Sequence, residues 1–173
     1  MLEKHCKLCL DQQKDCCING LKKYNLRVFA SKEEVRISNA YGVFEKINLN
    51  NFSNQQTKDY QLRDYDPIWK RIFTEYKEFY FLKEPCQCIS PQGCGLGDEK
   101  KPFICLIFPA DFNLTKREII YNQKETDYIP CKAKKKYNFD KYLTNFNITK
   151  DFLQNRLNKY YAQLKKEFPK AFT

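Results

Sequence analysis

At 173 residues the chain suits one domain and is short for two. Aromatic residues make up 16%, with 14 Phe and 12 Tyr, which excludes the aromatic-poor composition of a disordered chain. A net charge of +10 and nine cysteines set it apart from an ordinary acidic or neutral domain, and no run of about 18 uninterrupted apolar residues occurs, so no transmembrane helix is expected.

In chain order, the first cysteine group ends at Cys17, and Ile18-Asn19-Gly20 reads as a turn. Residues 26–29 have strand character. Ser31-Lys32-Glu33-Glu34 has the form of a capping box, with Ser31 at the N-cap and Glu34 reaching back. A helix is therefore expected toward Ala40, ended by Gly42. Residues 48–61, rich in Asn, Gln, Ser and Thr, read as an exposed loop. Asp66-Pro67 marks a second helix start, with Asp66 as N-cap and proline at the first helical position. Ile68, Trp69, Ile72, Phe73, Tyr76, Phe79 and Tyr80 follow at helical spacing, a stripe better explained by core packing than by a ligand surface.

Cys86-Gln87-Cys88-Ile89, the turn Pro91-Gln92-Gly93 and Cys94-Gly95-Leu96 predict a short hairpin or knuckle. Lys101-Pro102 opens another helical turn, closed by Phe108-Pro109, and residues 117–122 have strand character. The last helix is capped by Thr149 or Asn147 and stopped by Pro169. Phe152, Leu153, Leu157, Tyr160, Tyr161, Leu164 and Phe168 share one broad face of it, with Lys150, Arg156, Lys159, Lys165 and Lys166 interspersed. The pattern is that of an α+β fold: a small single-domain cysteine-cluster protein of short strands and knuckles, a few amphipathic helices and a C-terminal helix.

Charge divides the chain. Residues 132–173 carry 11 Lys+Arg against 3 Asp+Glu, whereas residues 1–131 are nearly balanced, with 20 against 18. The expected organisation is a cysteine-cluster metal-binding domain over 1–131 and a basic segment over 132–173 whose helix packs on it. Bound metal would sharpen the contrast, because four thiolates around Zn²⁺ or a [4Fe–4S]²⁺ core leave a net negative site.

The cysteines fall into three sets: Cys6, Cys9, Cys16 and Cys17; Cys86, Cys88, Cys94 and Cys105; and Cys131. The first 17 residues lack the apolar run and cleavage site of a secretory signal. A cytoplasmic or organelle-matrix setting is therefore expected, where dense cysteines read as metal ligands and not as disulfides; the odd count points the same way. Cys6-Lys7-Leu8-Cys9 has the spacing that turns two sulfurs toward one ion. Adjacent Cys16-Cys17 would face opposite sides of an extended segment and serve two metals or two irons, or one centre if tightly turned. His5, the only histidine, is read as a neighbour of Cys6 and not a ligand. Groups about 70 residues apart must be joined by the fold, so metal binding would close a long loop.

Cys6-x2-Cys9 followed by Cys16-Cys17, then Cys88-Ile89, Cys94-Gly95-Leu96 and Lys101-Pro102-Phe103-Ile104-Cys105-Leu106-Ile107-Phe108-Pro109, resembles the CxxCxxCC (YkgJ-like) family of zinc- or iron-chelating cysteine-cluster domains. That group is related to the cluster region of flagellin lysine N-methylases. The likeness spans residues 6–109, and KPxxCxxFP is its most specific part. By position it implies Cys6, Cys9, Cys16, Cys17, Cys88, Cys94 and Cys105 as metal ligands, with Cys131 as a weaker eighth. The six residues between Cys9 and Cys16 exceed the two or three usual in the family, and Cys86 has no place in the pattern and is read as a spare thiol. Lys101-Pro102 would present Cys105 and its neighbouring amides to the centre, with Lys101 either compensating charge or simply lying on the surface.

All-sulfur ligation suits zinc and iron–sulfur clusters alike. With only one clean CxxC knuckle, the irregular spacings lean toward a [4Fe–4S] cluster over zinc. No Walker loop, GxGxxG, HExxH or GxSxG occurs. The leading expectation is a metal-binding protein with a structural, redox or metal-handling role. The alternatives are a component of a protein lysine methylase that takes its cofactor site from a protein partner, and a zinc-stabilised nucleic-acid module whose basic tail offers Tyr137, Tyr142, Tyr160 and Tyr161 for stacking.

Overall fold

The computed structural model of the chain describes residues 29–38, 44–51, 66–82, 86, 88–90, 93–97, 99–107, 110–120 and 138–173. The first cysteine group, the expected turn at 18–20, residues 52–61 of the expected loop, Phe108-Pro109 and Cys131 lie outside the described residues.

The first described strand, β1 (Phe29–Ala30), leads into helix α1 (Lys32–Ser38) through the predicted capping box. Ser31 donates its backbone N–H to Glu34 Oε2 at 2.9 Å, and Glu34 N–H returns to Ser31 Oγ at 3.2 Å. Two orphan amides of the helix start are thereby satisfied reciprocally. Strand β2 (Phe44–Asn48) follows, and a 3-10 turn (Leu49–Asn51) stands at the start of the stretch expected as loop; Leu49 is buried, and its amide donates to Lys77 O.

Helix α2 (Pro67–Glu75) starts as expected, with Asp66 Oδ1 accepting from Ile68 N–H at 2.9 Å. The apolar stripe behind it does not continue as helix. Tyr76 is already extended, and Phe79 and Tyr80 belong to strand β3 (Glu78–Leu82). The aromatic run Phe79-Tyr80-Phe81 favours a pleated surface, and Phe79 and Phe81 alternate inward around the less buried Tyr80. The spacing of 73, 76, 79 and 80 imitates a helix, while Phe79 and Phe81 obey a period of two. Strand β3 is the centre of a three-stranded antiparallel sheet ordered β1-β3-β2, with Phe29 opposite Phe81 and Glu45 opposite Phe81 on the other side.

Two short hairpins follow. Strands β4 (Ile89–Ser90) and β5 (Gly93–Cys94) form the predicted knuckle. After helix α3 (Phe103–Ile107), strands β6 (Asp111–Asn113) and β7 (Glu118–Ile120) pair across a turn in which Arg117 has a φ of 53°. Strand character near 117–122 is thus realised in β7, while its partner β6 has no comparable sequence signal. Among the described residues the tail holds two helices where one was expected: α4 (Phe139–Phe146) and α5 (Lys150–Glu167). Asn147, left-handed at φ 51°, closes α4, and Thr149 opens α5 by accepting from Phe152 N–H at 3.1 Å. A 3-10 turn (Pro169–Phe172) follows α5.

The face of α5 read from the sequence is the core face. Leu153, Leu157, Tyr160 and Leu164 are buried in one cluster with Phe29, Trp69, Phe73, Phe79, Phe103 and Phe112. Phe29 is its hub. Its ring meets Trp69 edge-on at 5.0 Å, Phe79 at 5.5 Å, and Phe73 and Phe81 both at 6.0 Å. Each such pair contributes about 0.5–1.5 kcal/mol beyond the area buried.

Asp66 fastens α2 to the β6–β7 turn. Besides capping, Oδ1 accepts from Thr115 Oγ1 at 2.8 Å, and Oδ2 accepts from the amides of Leu114 and Thr115. Replacing Asp66 by Ala removes a cap of about 1 kcal/mol and leaves the fully buried Leu114 amide without its acceptor, at about 1–3 kcal/mol more. A loss of about 3 kcal/mol in urea unfolding is expected for Asp66→Ala, and a smaller one for Asp66→Asn, which keeps an acceptor oxygen. Equal stability of Asp66→Ala and the parent would contradict this.

Candidate metal centre

The second cysteine set is built on the end of β3. Leu82, Cys86, Cys88 and Leu96 form a small buried cluster of their own, with Phe44 packed against it. Cys86 and Cys88 are two residues apart, the spacing that places side chains on one side of an extended segment. The hairpin then sets Cys94 opposite Ile89, and Gly95 N–H donates to Cys88 O at 2.7 Å. A Cβ at Gly95 would stand 3.3 Å from that carbonyl, so glycine here lets the two arms of the knuckle close.

Cys105 arrives from α3. Gly97 O accepts from the amides of Lys100 and Lys101, at 2.9 and 3.0 Å, which turns the chain into Pro102 and the helix. This entrance is gripped from both sides. Glu34 Oε1 accepts from Phe103 N–H at 2.6 Å. From α5, Arg156 donates through Nη1 to Glu99 O at 3.1 Å and through Nη2 to Lys101 O at 2.6 Å. Helix α1 is tied to α5 as well: Lys32 N–H donates to Glu167 Oε2 at 2.8 Å, and Ser31 Oγ lies 3.0 Å from Gln163 Oε1. Lys101 is buried, so its reading as a plain surface lysine is corrected: the tight turn from Gly97 carries it inward.

No disulfide joins Cys86, Cys88, Cys94 and Cys105 to one another. Burial pushes the Cys88 thiol up to about 11, helped by the charges of Cys86 and Cys94 and by a hydrogen bond with Cys86. Desolvation raises Cys105 well above the ordinary thiol value; Cys86, Cys94 and Glu34 add to this, and Lys101 opposes it. Cys86 and Cys94 therefore lie within electrostatic reach of both Cys88 and Cys105. Without a cation, Cys88 and Cys105 stay protonated at neutral pH; a bound metal ion inverts that preference and drives the protons off.

Among the described residues, no three Cys, His, Asp or Glu side chains are grouped so as to hold an ion by themselves. The donor type fits zinc or an iron–sulfur cluster, but closure of such a centre calls on thiols beyond these four. Cys6, Cys9, Cys16, Cys17 and Cys131 lie outside the described residues, as does His5. Cys86, which no sequence pattern selected, shares a small buried cluster with Cys88; its C-x-C spacing to Cys88 is the signal that marks it.

The basic tail is partly spent on structure. Arg156 holds backbone carbonyls, and Lys150 pairs with Asp140 at 2.7 Å on the surface. Tyr160, expected as a possible base-stacking residue, is buried between Phe103 and Phe112, with ring centroids at 5.2 and 5.7 Å. It lies on the core face of α5, which removes it from that role. Arg117 lies over the half-buried Tyr161 ring at 5.2 Å. Tyr137 and the side chain of Tyr142 are outside the described residues. No helix among the described residues is long and apolar enough to cross a membrane.

Glu34 sets a pH dependence. Burial raises its carboxyl to about 7, against hydrogen bonds from Phe103 and Ser31 and the charge of Arg156 that favour ionisation. The folded state thus binds a proton more tightly than the unfolded chain. The resulting stability is full below the unfolded value of 4.5 and is lost as pH rises through about 7. The loss is on the order of 3 kcal/mol. In urea unfolding, Glu34→Gln is expected to cost stability at pH 5 and to cost less, or to gain, at pH 8. A difference between parent and variant that does not change with pH would contradict the assignment.

Compared with protein-family models, curated proteins and solved structures, the chain matches none.

Proposed function

We propose that this chain is a metal-binding protein whose cysteine thiolates hold an iron–sulfur cluster or zinc, with a structural, redox or metal-handling role. The observation that carries the reading is that Cys86 and Cys94 lie within electrostatic reach of both Cys88 and Cys105, with Cys86 and Cys88 buried together in one small cluster. Gathering thiols that raise one another's proton affinity is unfavourable for the empty protein and favourable once a cation is present.

The ligands on this reading are Cys88, Cys94 and Cys105 with Cys6, Cys9, Cys16 and Cys17, and Cys131 as an additional donor; Cys86 joins them as a candidate. The likeness to YkgJ-like cysteine-cluster domains rests on the same residues and supports the same conclusion. Bound here, zinc would cross-link the N-terminal region to the knuckle, and a [4Fe–4S] cluster would add one-electron chemistry. The irregular spacings favour the cluster. The buried Lys101 offsets thiolate charge, and Glu34 and Arg156 hold the loop that presents Cys105. Reduced thiols in this number fit a reducing compartment, such as the cytoplasm or an organelle matrix.

Anaerobic purification with iron, sulfide and zinc analysis tests the proposal. Stoichiometric metal is expected: a brown protein with labile sulfide for a cluster, a colourless one for zinc. Cys88→Ser and Cys105→Ser are each expected to weaken metal binding by more than about 100-fold, beyond what loss of a supporting hydrogen bond costs. Retention in Cys86→Ser would leave Cys86 a spare thiol, and loss would make it a ligand. Full metal content in Cys105→Ser would overturn the proposal.

A further inference from the structure

The β6–β7 turn meets α5 at a pair of aromatic rings. Arg117 sits in that turn with a φ of 53°, a conformation that glycine enters freely and other residues seldom adopt. Its carbonyl accepts from Gln154 Nε2 at 3.1 Å, which fixes the turn on α5. Its guanidinium lies 5.2 Å from the centre of the Tyr161 ring. Phe172, from the 3-10 turn after α5, meets the same ring edge-on, with centroids 5.1 Å apart and planes at 89°. Both rings are half-buried, so part of each is open to solvent.

Positive charge gathers around this pair. Lys165 stands one turn beyond Tyr161 on the same side of α5, and helical side chains lean back toward the N-terminus, which carries its stem over the Tyr161 turn. Lys116 precedes Arg117, and Lys170 shares the 3-10 turn with Phe172. All four cations are exposed, and among the described residues none is held in an ion pair, nor is Glu118, which follows Arg117. A guanidinium stacked on a ring presents its edge N–H donors in a fixed plane, a geometry that matches phosphate oxygens. Rings interleaved with cations suit single-stranded nucleic acid, whose bases stack on aromatic or guanidinium faces while its backbone tracks positive charge. A lipid surface calls for an apolar face as well. The large apolar residues exposed among the described ones, Ile37 and Ile120, stand singly on α1 and β7.

We propose that the cluster of Arg117, Tyr161 and Phe172, with Lys165 beside it, binds single-stranded nucleic acid: Arg117 and Lys165 pair with phosphates, and the exposed part of the rings stacks on a base. The surface uses none of the cysteines, and binding here does not depend on what the thiols hold.

The test is fluorescence anisotropy of a labelled oligothymidylate of about 12 nucleotides, within the usual span of single-strand sites, titrated with the full, anaerobically purified chain at low ionic strength. Saturable binding is expected, with a Kd of roughly 1–100 μM. The logarithm of the affinity should fall with that of salt at a slope of at least about −1.4, the value for two phosphate contacts. Arg117→Gly, which suits the φ of 53° and leaves the turn unstrained, is expected to weaken binding about tenfold and to reduce the slope by about 0.7. Tyr161→Leu is expected to weaken it about tenfold with the slope unchanged, as loss of a stack and not of a charge. Lys165→Gln should weaken it too. Lys159→Gln, which removes the same charge from the opposite flank of α5, beside the cavity between α1 and α5, is expected to leave it unchanged. No binding up to about 300 μM chain, or equal weakening by Lys165→Gln and Lys159→Gln, would overturn the proposal. So would polyglutamate binding as tightly as the oligonucleotide, or phosphatidylserine vesicles binding more tightly and being released by Arg117→Gly.

Discussion

The carboxylate of Glu34 is the junction on which the described structure turns. One oxygen closes the capping box of α1 on Ser31, and the other holds the first amide of α3, 69 positions away in the chain. Burying a carboxylate is costly unless its lone pairs are filled. Here the hydrogen bonds and the nearby charge of Arg156 only partly offset the burial, which is why the group holds its proton up to about 7. The fold tolerates this because the same contacts fix where Cys105 enters. Glu34 from one side and Arg156 from the other immobilise the loop that an unrestrained Gly97 turn would leave free.

Two groups of side chains adjoin this junction. Cys86 and Cys88 lie in the small apolar cluster of Leu82 and Leu96, and Glu34 is within electrostatic reach of Cys105. Toward α5 lies a positively lined cavity. Lys101 belongs to both, lining the cavity and lowering the proton affinity of Cys105.

Much of the fold was legible because its local signals are strong. The capping box at Ser31 and Glu34, the Asp66-Pro67 start, the knuckle around Pro91-Gln92-Gly93 and the Thr149 cap each rest on hydrogen bonds made within a few residues, and sequence spacing reports these directly. What was missed depends on distant partners. Phe79 and Tyr80 fit a helical period, yet they pair in register with β1 and β2. Strand β2 is a stretch of mixed polarity that becomes a strand because β3 offers it an edge. The role of Asp66 beyond its cap, and the grip of Arg156 on the α3 loop, join residues about 50 apart and leave no local trace.

The cysteine site divides in the same way. The knuckle and the Lys101-Pro102 entry to Cys105 were readable from turn residues, whereas the burial of Cys86 beside Cys88 and Leu96 is a product of packing. The burial of Lys101 and the carboxylate behind Cys105 are likewise products of packing. The proposed chelation requires that sulfur from both regions of the chain surround one centre. X-ray absorption at the iron or zinc edge of the anaerobically purified protein reads this directly. An all-sulfur first shell, near 2.3 Å for zinc, whose sulfur number falls in both Cys9→Ser and Cys105→Ser, is the predicted result. A shell dominated by nitrogen or oxygen, or one untouched by either substitution, would contradict it.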